Sequence, residues 1–525
     1  MPSRAIAVAS LIVASLGSGG ALALNPFESF GQAMQNAVQG SQPNQPAPAP
    51  AARPNDLGIA MAGERRVVYE GYSKEMLPVK QLLADGQADQ ALKAKMPQGK
   101  SIADLNMLDS LEVATLAIDA ADLEPAKEGF QKAEMSLNQK EERSTIGGLF
   151  SGTRDTVLST LTGNAELGEY EGAGYERVLM LNYKSIAHLL DGERSAYNVT
   201  RRAIDLQNIE KAKFDELVRE AKAKIAEEEA KQKQQGKDLN SFGLDSVVEE
   251  QYQSTERQAL KVPDAFVNPF GFYIAGVVQE LDSYEDKSLR DNARISYAKA
   301  LELNPKSDVI KQAVADMKKP AKKGMRLVNV IVGDGFAPEK KLLKFDLRLG
   351  ASLPTEIELP VYEPVASKIA RVEIQTTSGK RYARASEVAD IAALALRFQK
   401  DAGPIQQLRM MTTVIRNVIE GQAWNNAQQQ AGVFGSVFGK LKEARDEVAH
   451  PDMRSWSTLP SRLLAARVFV PKSVSQIQVV AYDAKGRKLA SKVVTLDKDS
   501  HNVVYTRVID NTIYATSSKK MWVRS

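Results

Sequence analysis

The sequence contains no cysteine. That excludes disulfides, thiolate metal sites, cysteine nucleophiles and a lipid-bearing N-terminal cysteine. Histidine is nearly as scarce. His188, His450 and His501 are the three present, and none stands in an H-E-x-x-H or comparable ligand spacing. The G-x-S-x-G, P-loop and G-x-G-x-x-G patterns are also missing. The Gly-Asp-Gly of V-G-D-G-F (332–336) reads as a strand-ending turn, and His450, Asp452 and Arg454 of H-P-D-M-R-S-W share one short loop without a second partner. The expectation is therefore a non-enzyme with no catalytic residue, metal or cofactor, an enzyme of unfamiliar type being the outside alternative.

An excess of one charge is lacking too. The 69 basic and 65 acidic residues leave a net +4 and are mixed along the chain, which gives no electrostatic case for nucleic acid. With 43% hydrophobic and 26% charged residues the composition is that of a globular protein. The 525 residues exceed a single core and suggest two to four domains at about 150 residues each.

Long apolar runs are confined to the start. Arg4 precedes the run Ala5 to Leu16, small residues follow, and Ala21-Leu22-Ala23 closes the stretch. A positive charge, a short apolar core and A-x-A read as a secretory signal over 1–23, because a membrane span needs about 20 apolar residues. Residues 24–60 then read as an unpacked segment whose S-Q-P-N-Q-P-A-P-A-P-A-A-R-P (41–54) is a semi-extended linker.

Helical periodicity dominates 61–320. The stretch A-R-I-S-Y-A-K-A-L-E-L-N-P (293–305) places Ala293, Tyr297, Ala300 and Pro305 at offsets 0, 4, 7 and 12, the pattern of the second helix in a tetratricopeptide unit. Offsets 0, 4 and 7 share one helical face. Alanine there lets a neighbouring helix approach, the large side chain fills the gap, and proline stops the helix. Ala126, Phe130 and Ala133 repeat the spacing, with Ala114 twelve residues earlier. Ala196 and Ala203 repeat it around Thr200, and a weaker copy lies at 86–94. The charged helix at 208–235 carries a narrow stripe of Phe214, Leu217, Val218, Ala221 and Ile225. It is expected to lie on the body, with a coiled coil to a partner as the alternative.

From Met325 the pattern turns to strands: R-L-V-N-V-I-V and K-F-D-L-R-L, then A-A-R-V-F-V, Q-I-Q-V-V-A-Y and K-V-V-T after a helical section. The turn Asp483 to Gly486 fits a hairpin. Two Gly/Phe segments, I-G-G-L-F-S-G (146–152) and G-V-F-G-S-V-F-G-K-L (432–441), are candidates for peripheral contact with a membrane or partner.

The order Y-E-G-A-G-Y-E-R-V-L-M-L-N-Y, R-S-A-Y-N-V-T-R-R-A, N-P-F-G-F-Y-I-A-G, I-V-G-D-G-F-A-P and D-M-R-S-W-S-T-L-P resembles a proteobacterial cell-envelope family, often lipoproteins. Its members pair tetratricopeptide-like helices with a C-terminal β-rich domain. The resemblance covers most of 65–510 and implies no catalytic residues. This chain departs from it in having no cysteine to carry a lipid.

The expected fold class is α+β: an N-terminal tetratricopeptide-like array (61–320) followed by an antiparallel β-sandwich-like domain (325–384 and 448–525) with a helical insertion (385–447). The expected role is an exported, periplasmic scaffold or adaptor that binds envelope proteins or peptides. A cell-wall or glycan-binding module built on the β-domain is the rival. Asp452, Arg454 and Trp456 are the candidate partner-binding residues, and the plainer alternative is a buried Trp with an Asp–Arg pair locking a loop.

Overall fold

A computed structural model of the chain describes residues 59–150, 170–234, 244–320, 322, 324–349, 355–408, 410 and 451–520. The expected leader, the Pro-rich stretch 41–54, the 432–441 segment and His450 lie outside the described residues. So do the end of the 146–152 segment and the side chains of its helical part.

Of the described residues about 49% are helical and 24% strand, with helices in the N-terminal part and sheets in the C-terminal part. After strand β1 (Ile59–Val68) come α1 (Leu77–Ala84), α2 (Ala88–Lys95), α3 (Met107–Asp119), α4 (Leu123–Phe150), α5 (Gly174–Leu190) and α6 (Ala196–Gln234). Helices α7 (Leu244–Ala259), α8 (Pro269–Ser283), α9 (Arg290–Leu303) and α10 (Asp308–Met317) complete this half. The strands follow as β2 (Met325–Asp334), β3 (Glu339–Leu349), β4 (Thr355–Glu363), β5 (Arg371–Gln375), β6 (Arg381–Arg384) and β7 (Ser386–Asp390). Helix α11 (Ile391–Asp401) intervenes, and β8 (Arg462–Pro471), β9 (Gln476–Tyr482), β10 (Lys488–Thr495), β11 (Asn502–Ile509) and β12 (Thr512–Ser517) end the fold.

Local chemistry sets the helix starts. Asn106 accepts from the Asp109 N–H to cap α3, and Asn268 caps α8 ahead of Pro269, whose missing N–H costs nothing at a first helical position. Helices pack in successive antiparallel pairs: α3 with α4, α5 with α6, α8 with α9. Ala126, Phe130, Ala133, Ala196, Ala293, Tyr297 and Ala300 have no exposed surface, and Ala203 is 2% exposed. Pro305 follows α9 two residues past its end. The pairs approach closely. A Cβ on Gly129 would lie 2.8 Å from the Ser110 carbonyl and 2.9 Å from Ala114 Cβ, and one on Gly276 would meet the Tyr297 ring at 2.6 Å.

The stripe on α6 is occupied by the chain itself. Phe214, Ala221 and Ile225 are buried, and Phe214 packs with Phe266 and Phe398.

The strands form three sheets, ordered β1-β3-β4, β10-β9-β5-β6 and β12-β11-β2-β8-β7. Three features depart from the expectation. The residues from 61 onward begin in a strand, β1, which pairs with β3 from Ile59–Leu349 to Val68–Leu342 across a register shift. The start of the expected helical insertion is strand β7, and helix begins only at Ile391 under an Asp390 cap. The largest sheet is not wholly antiparallel, since β11 runs parallel to β2. Strand β2 is buried along nearly its whole length, as is typical of a strand covered on both faces.

Alternation along the central strands explains the layers. Val328, Val330, Val332, Leu464, Ala466 and Val468 share an apolar cluster with Val372, Ile374, Ile477, Val479 and Ala481 of the four-stranded sheet. Residues of the opposite parity, Ile331, Leu463, Ala465, Val503 and Tyr505, join the helical cluster that contains Phe130, Tyr183 and Tyr297. The five-stranded sheet is thus a middle layer between helices and the second sheet. The last hairpin also grips the first helices: the Tyr514 hydroxyl donates to the Leu83 carbonyl at 2.6 Å and the Thr516 hydroxyl to that of Ile118 at 2.8 Å.

Candidate functional site

The strap from Asp452 to Pro460 crosses between the helical layer and β3. Its anchor is Trp456, 1% exposed, whose indole N–H donates to Thr115 Oγ1 at 2.9 Å on α3. The ring lies 6.0 Å from Phe130 and 5.7 Å from Tyr183, so a residue of the alanine-spaced helix pattern and the strap's tryptophan meet in one aromatic cluster. Two buried glutamates hold the strap's backbone. Glu176 Oε1 accepts from the Trp456 N–H at 2.9 Å. Glu112 Oε1 and Oε2 accept from the Ser457 and Thr458 N–H groups at 2.8 and 3.1 Å. Burial pushes the Glu112 carboxyl up from its ordinary value, opposed by Lys95 and by the donors of Ser457 and Thr458.

The other two candidates sit at the strap's outer end. Arg454 Nε donates to Asp452 Oδ1 and Arg454 Nη2 to Asp452 Oδ2, each at 2.9 Å. The Lys340 ammonium of β3 donates to the Arg454 carbonyl at 2.6 Å. Burial raises the Asp452 carboxyl, but Arg454 and Lys340 outweigh it and hold it below the ordinary range. Asp452, Arg454 and Trp456 are therefore in one loop but not on one surface. Trp456 is interior, and only the ion pair, with side chains 24% and 27% exposed, reaches solvent. A catalytic use of the glutamates would need free acceptor positions facing a cleft. Theirs accept instead from backbone N–H groups and from the Tyr170 and Ser457 hydroxyls.

Two further buried charge clusters were not foreseen from sequence. Arg467 on β8 pairs with Glu280 on α8, neither side chain having exposed surface. Beside this pair a shallow cleft opens between α8 and α10, lined among others by Tyr284, Arg290, Asp316 and Lys322. In the second cluster Asp119 closes α3 opposite Arg507 on β11. Both Asp119 oxygens and Arg507 Nε and Nη1 are buried without a hydrogen-bond partner among the described residues. The signal available was a charged residue inside an otherwise apolar segment, such as Glu112 in L-E-V-A-T-L or Arg467 in L-L-A-A-R-V-F-V.

His188 Nδ1 lies 2.6 Å from Glu193 Oε2, and His501 Nδ1 accepts the Leu327 N–H at 2.9 Å. Among the described residues no group of three or more His, Cys, Asp or Glu is placed to hold a metal. No helix of the described residues is long and apolar enough to cross a membrane. The outer face of the four-stranded sheet carries Tyr482, with the Arg371 guanidinium 4.2 Å from its ring centre.

No family model, curated protein or solved structure matches the chain.

Proposed function

We propose that this chain is an exported, non-enzymatic scaffold of the bacterial cell envelope. In this reading an irregular tetratricopeptide-like array is fused to a β-sandwich-like module and binds protein or peptide partners in the periplasm. Location rests on the leader-like N-terminus and the Pro-rich linker. The scaffold role rests on one observation, the run of helix pairs whose small residues at matched spacing are all buried. Stacked pairs of this kind bury a continuous core and leave an extended surface for partners. Met135, Ile209 and Ile295 lie on the second helices of the three pairs and are 45%, 48% and 45% exposed. At about 100° per residue each points roughly opposite its helix's alanine face. That row is the partner surface this reading favours.

The test is photo-crosslinking in intact cells, with a photoreactive residue at 135, 209 or 295 and another at Leu77 as control. A small set of shared protein partners at the first three positions, absent at position 77, is the expected result. Capture of nothing beyond the control sinks the scaffold reading, and capture of glycan alone transfers the function to the rival class.

A further inference from the structure

The outer face of the four-stranded sheet is a concentrated positive patch. Residues 371–384 and 476–495 contain eight Lys and Arg against two carboxylates, Glu373 and Asp483. Lys492 pairs with Val479 of the core-facing set, so seven cations and a local +5 belong to this face, in a chain whose total is +4. Both carboxylates are spent locally: Glu373 pairs with Arg371 and Arg381, and Asp483 pairs with Arg487.

Register puts the cations on one side. Arg384 stands opposite Glu373, Arg381 opposite Gln375, and Lys488 and Arg371 both opposite Tyr482. Directly paired residues share a face, and the alternate set, Val372, Ile374, Val479 and Ala481, fills the core beneath. The turns add Lys380, Lys485 and Arg487. Arg381 and Arg487 have side chains 62% and 73% exposed, and Arg384, Lys485 and Lys488 are exposed as well. Val493, on the same face by its pairing with Gln478, is an apolar side chain left 45% exposed.

We propose that this sheet face docks on an anionic phospholipid surface. The charges do not converge on one point, as a single phosphate ligand would require. They spread over β5, β6, β10 and the two turns, with about 15 Å between the outermost strands β6 and β10, and that matches a plane of headgroup phosphates. Val493 supplies an apolar contact among them. Each lysine or arginine at such a surface strengthens partitioning roughly fivefold, and the attraction fades beyond about 8 Å at physiological salt. The inference goes beyond the scaffold reading and does not depend on it. It would hold the body flat to a leaflet without a lipid anchor.

The experiment is co-sedimentation of residues 24–525 with vesicles of phosphatidylcholine alone and with 30% phosphatidylglycerol. The expected result is binding to the anionic vesicles only, weakening steeply with salt. The double reversal Arg384→Glu/Lys488→Glu should lower partitioning by at least about 25-fold at unchanged thermal stability. Lys93→Glu/Lys306→Glu changes net charge equally at exposed positions elsewhere and should cost far less. Equal loss in the two variants means that net charge alone acts, and it overturns the assignment of this face. Absence of vesicle binding, or retention on lipid-free cell wall alone, overturns the lipid assignment.

Discussion

Arg467 Nη1 donates to Glu280 Oε2 at 2.6 Å and Arg467 Nη2 to Glu280 Oε1 at 2.9 Å, in a site with no exposed side-chain surface on either partner. One residue stands on the middle sheet and the other on α8, so the bidentate pair fixes where the helical layer sits on the strands. The Tyr297 hydroxyl donates to Glu280 Oε2 at 2.8 Å, and Arg467 Nη1 reaches Asn329 Oδ1 at 3.4 Å. The alanine-spaced helix α9 is thereby tied into the same network.

A buried pair is costly to break and cheap to replace. Arg467→Met strands the Glu280 charge and should lower stability by about 3–5 kcal/mol. Adding Glu280→Leu should restore part of that loss, because Glu280 then needs no charged partner, while the Asp316 carboxylate 3.5 Å from Arg467 Nη2 still loses its cation. Urea unfolding of the two single variants and the double variant measures the coupling. Additive losses would show that the pair does not act as a unit.

The strap makes a second prediction. Glu112→Ala leaves the Ser457 and Thr458 N–H groups without their acceptor, at roughly 1–3 kcal/mol for each buried donor left unpaired. Trp456→Phe keeps the ring in place but loses the indole donor to Thr115 and should cost less, about 2 kcal/mol. Tryptophan fluorescence reports the site directly. Glu112→Ala should shift emission to the red, and the shift should vanish when Trp456→Phe is added, leaving only Trp424 and Trp522. A red shift that survives Trp456→Phe would place the disturbance elsewhere.

Close helix approach gives the third. Gly276→Ala puts a methyl 2.6 Å from the Tyr297 ring, whose hydroxyl is held by Glu280, so the ring cannot simply turn away. The expected cost is about 1–3 kcal/mol from overpacking. Gly379, which has open space about it, is the comparison for space alone, although its φ of 90° strains alanine for a different reason. Adding Tyr297→Phe to Gly276→Ala frees the ring from its hydroxyl tether and should recover part of the loss. An unaltered unfolding midpoint in Gly276→Ala would disprove the tight contact.

What could be read from the sequence was local. The spacing of Ala126, Phe130 and Ala133 survives in the fold because helical period is a property of neighbouring residues. The turn Asp483 to Gly486 is a hairpin for the same reason, with Gly486 at φ 79°. What escaped depends on distant partners. Strand β1 gains its identity from β3, nearly three hundred residues later, and nothing within G-E-R-R-V-V specifies that pairing. The parallel alignment of β2 with β11 is likewise a property of the sheet and not of either strand. The burial of Arg467 and Glu280 needs both layers in place, so each residue alone shows at most a charge amid apolar neighbours and never its partner. The plainer alternative for Trp456, a buried ring with an Asp452–Arg454 pair locking the loop, is the arrangement seen, but its contacts with Phe130, Tyr183 and Thr115 depend on distant residues and were not legible.

Two buried groups should titrate with opposite effects. Burial pulls the His501 imidazole down to about 4, with Glu280 opposing and Arg326 and Lys472 assisting. The ring also stacks on Tyr284 at 3.8 Å and accepts the Leu327 N–H. Between its ordinary value near 6.5 and about 4 the unfolded chain takes up a proton that the native state refuses. The stability it contributes is complete above pH 6.5 and is lost as pH falls toward 4, on the order of 3 kcal/mol in all.

Asp119 runs the other way. Burial raises its carboxyl to about 7 against the attraction of Arg507, and the groups placed around it are Arg507, Tyr183, Tyr505 and Tyr514. From its ordinary 3.8 up to about 7 the native state holds a proton that the unfolded chain has released, so this contribution falls as pH rises through that window. The two windows overlap and the slopes oppose, so each variant should expose the other group. Asp119→Asn should be more stable than the wild type at pH 8 and lose stability more steeply on going from pH 6.5 to 4. His501→Gln should instead weaken as pH rises from 4 to 7. Urea midpoints across pH 4–8 decide it: parallel curves for the wild type and both variants would mean that neither group titrates in the folded protein as its surroundings dictate.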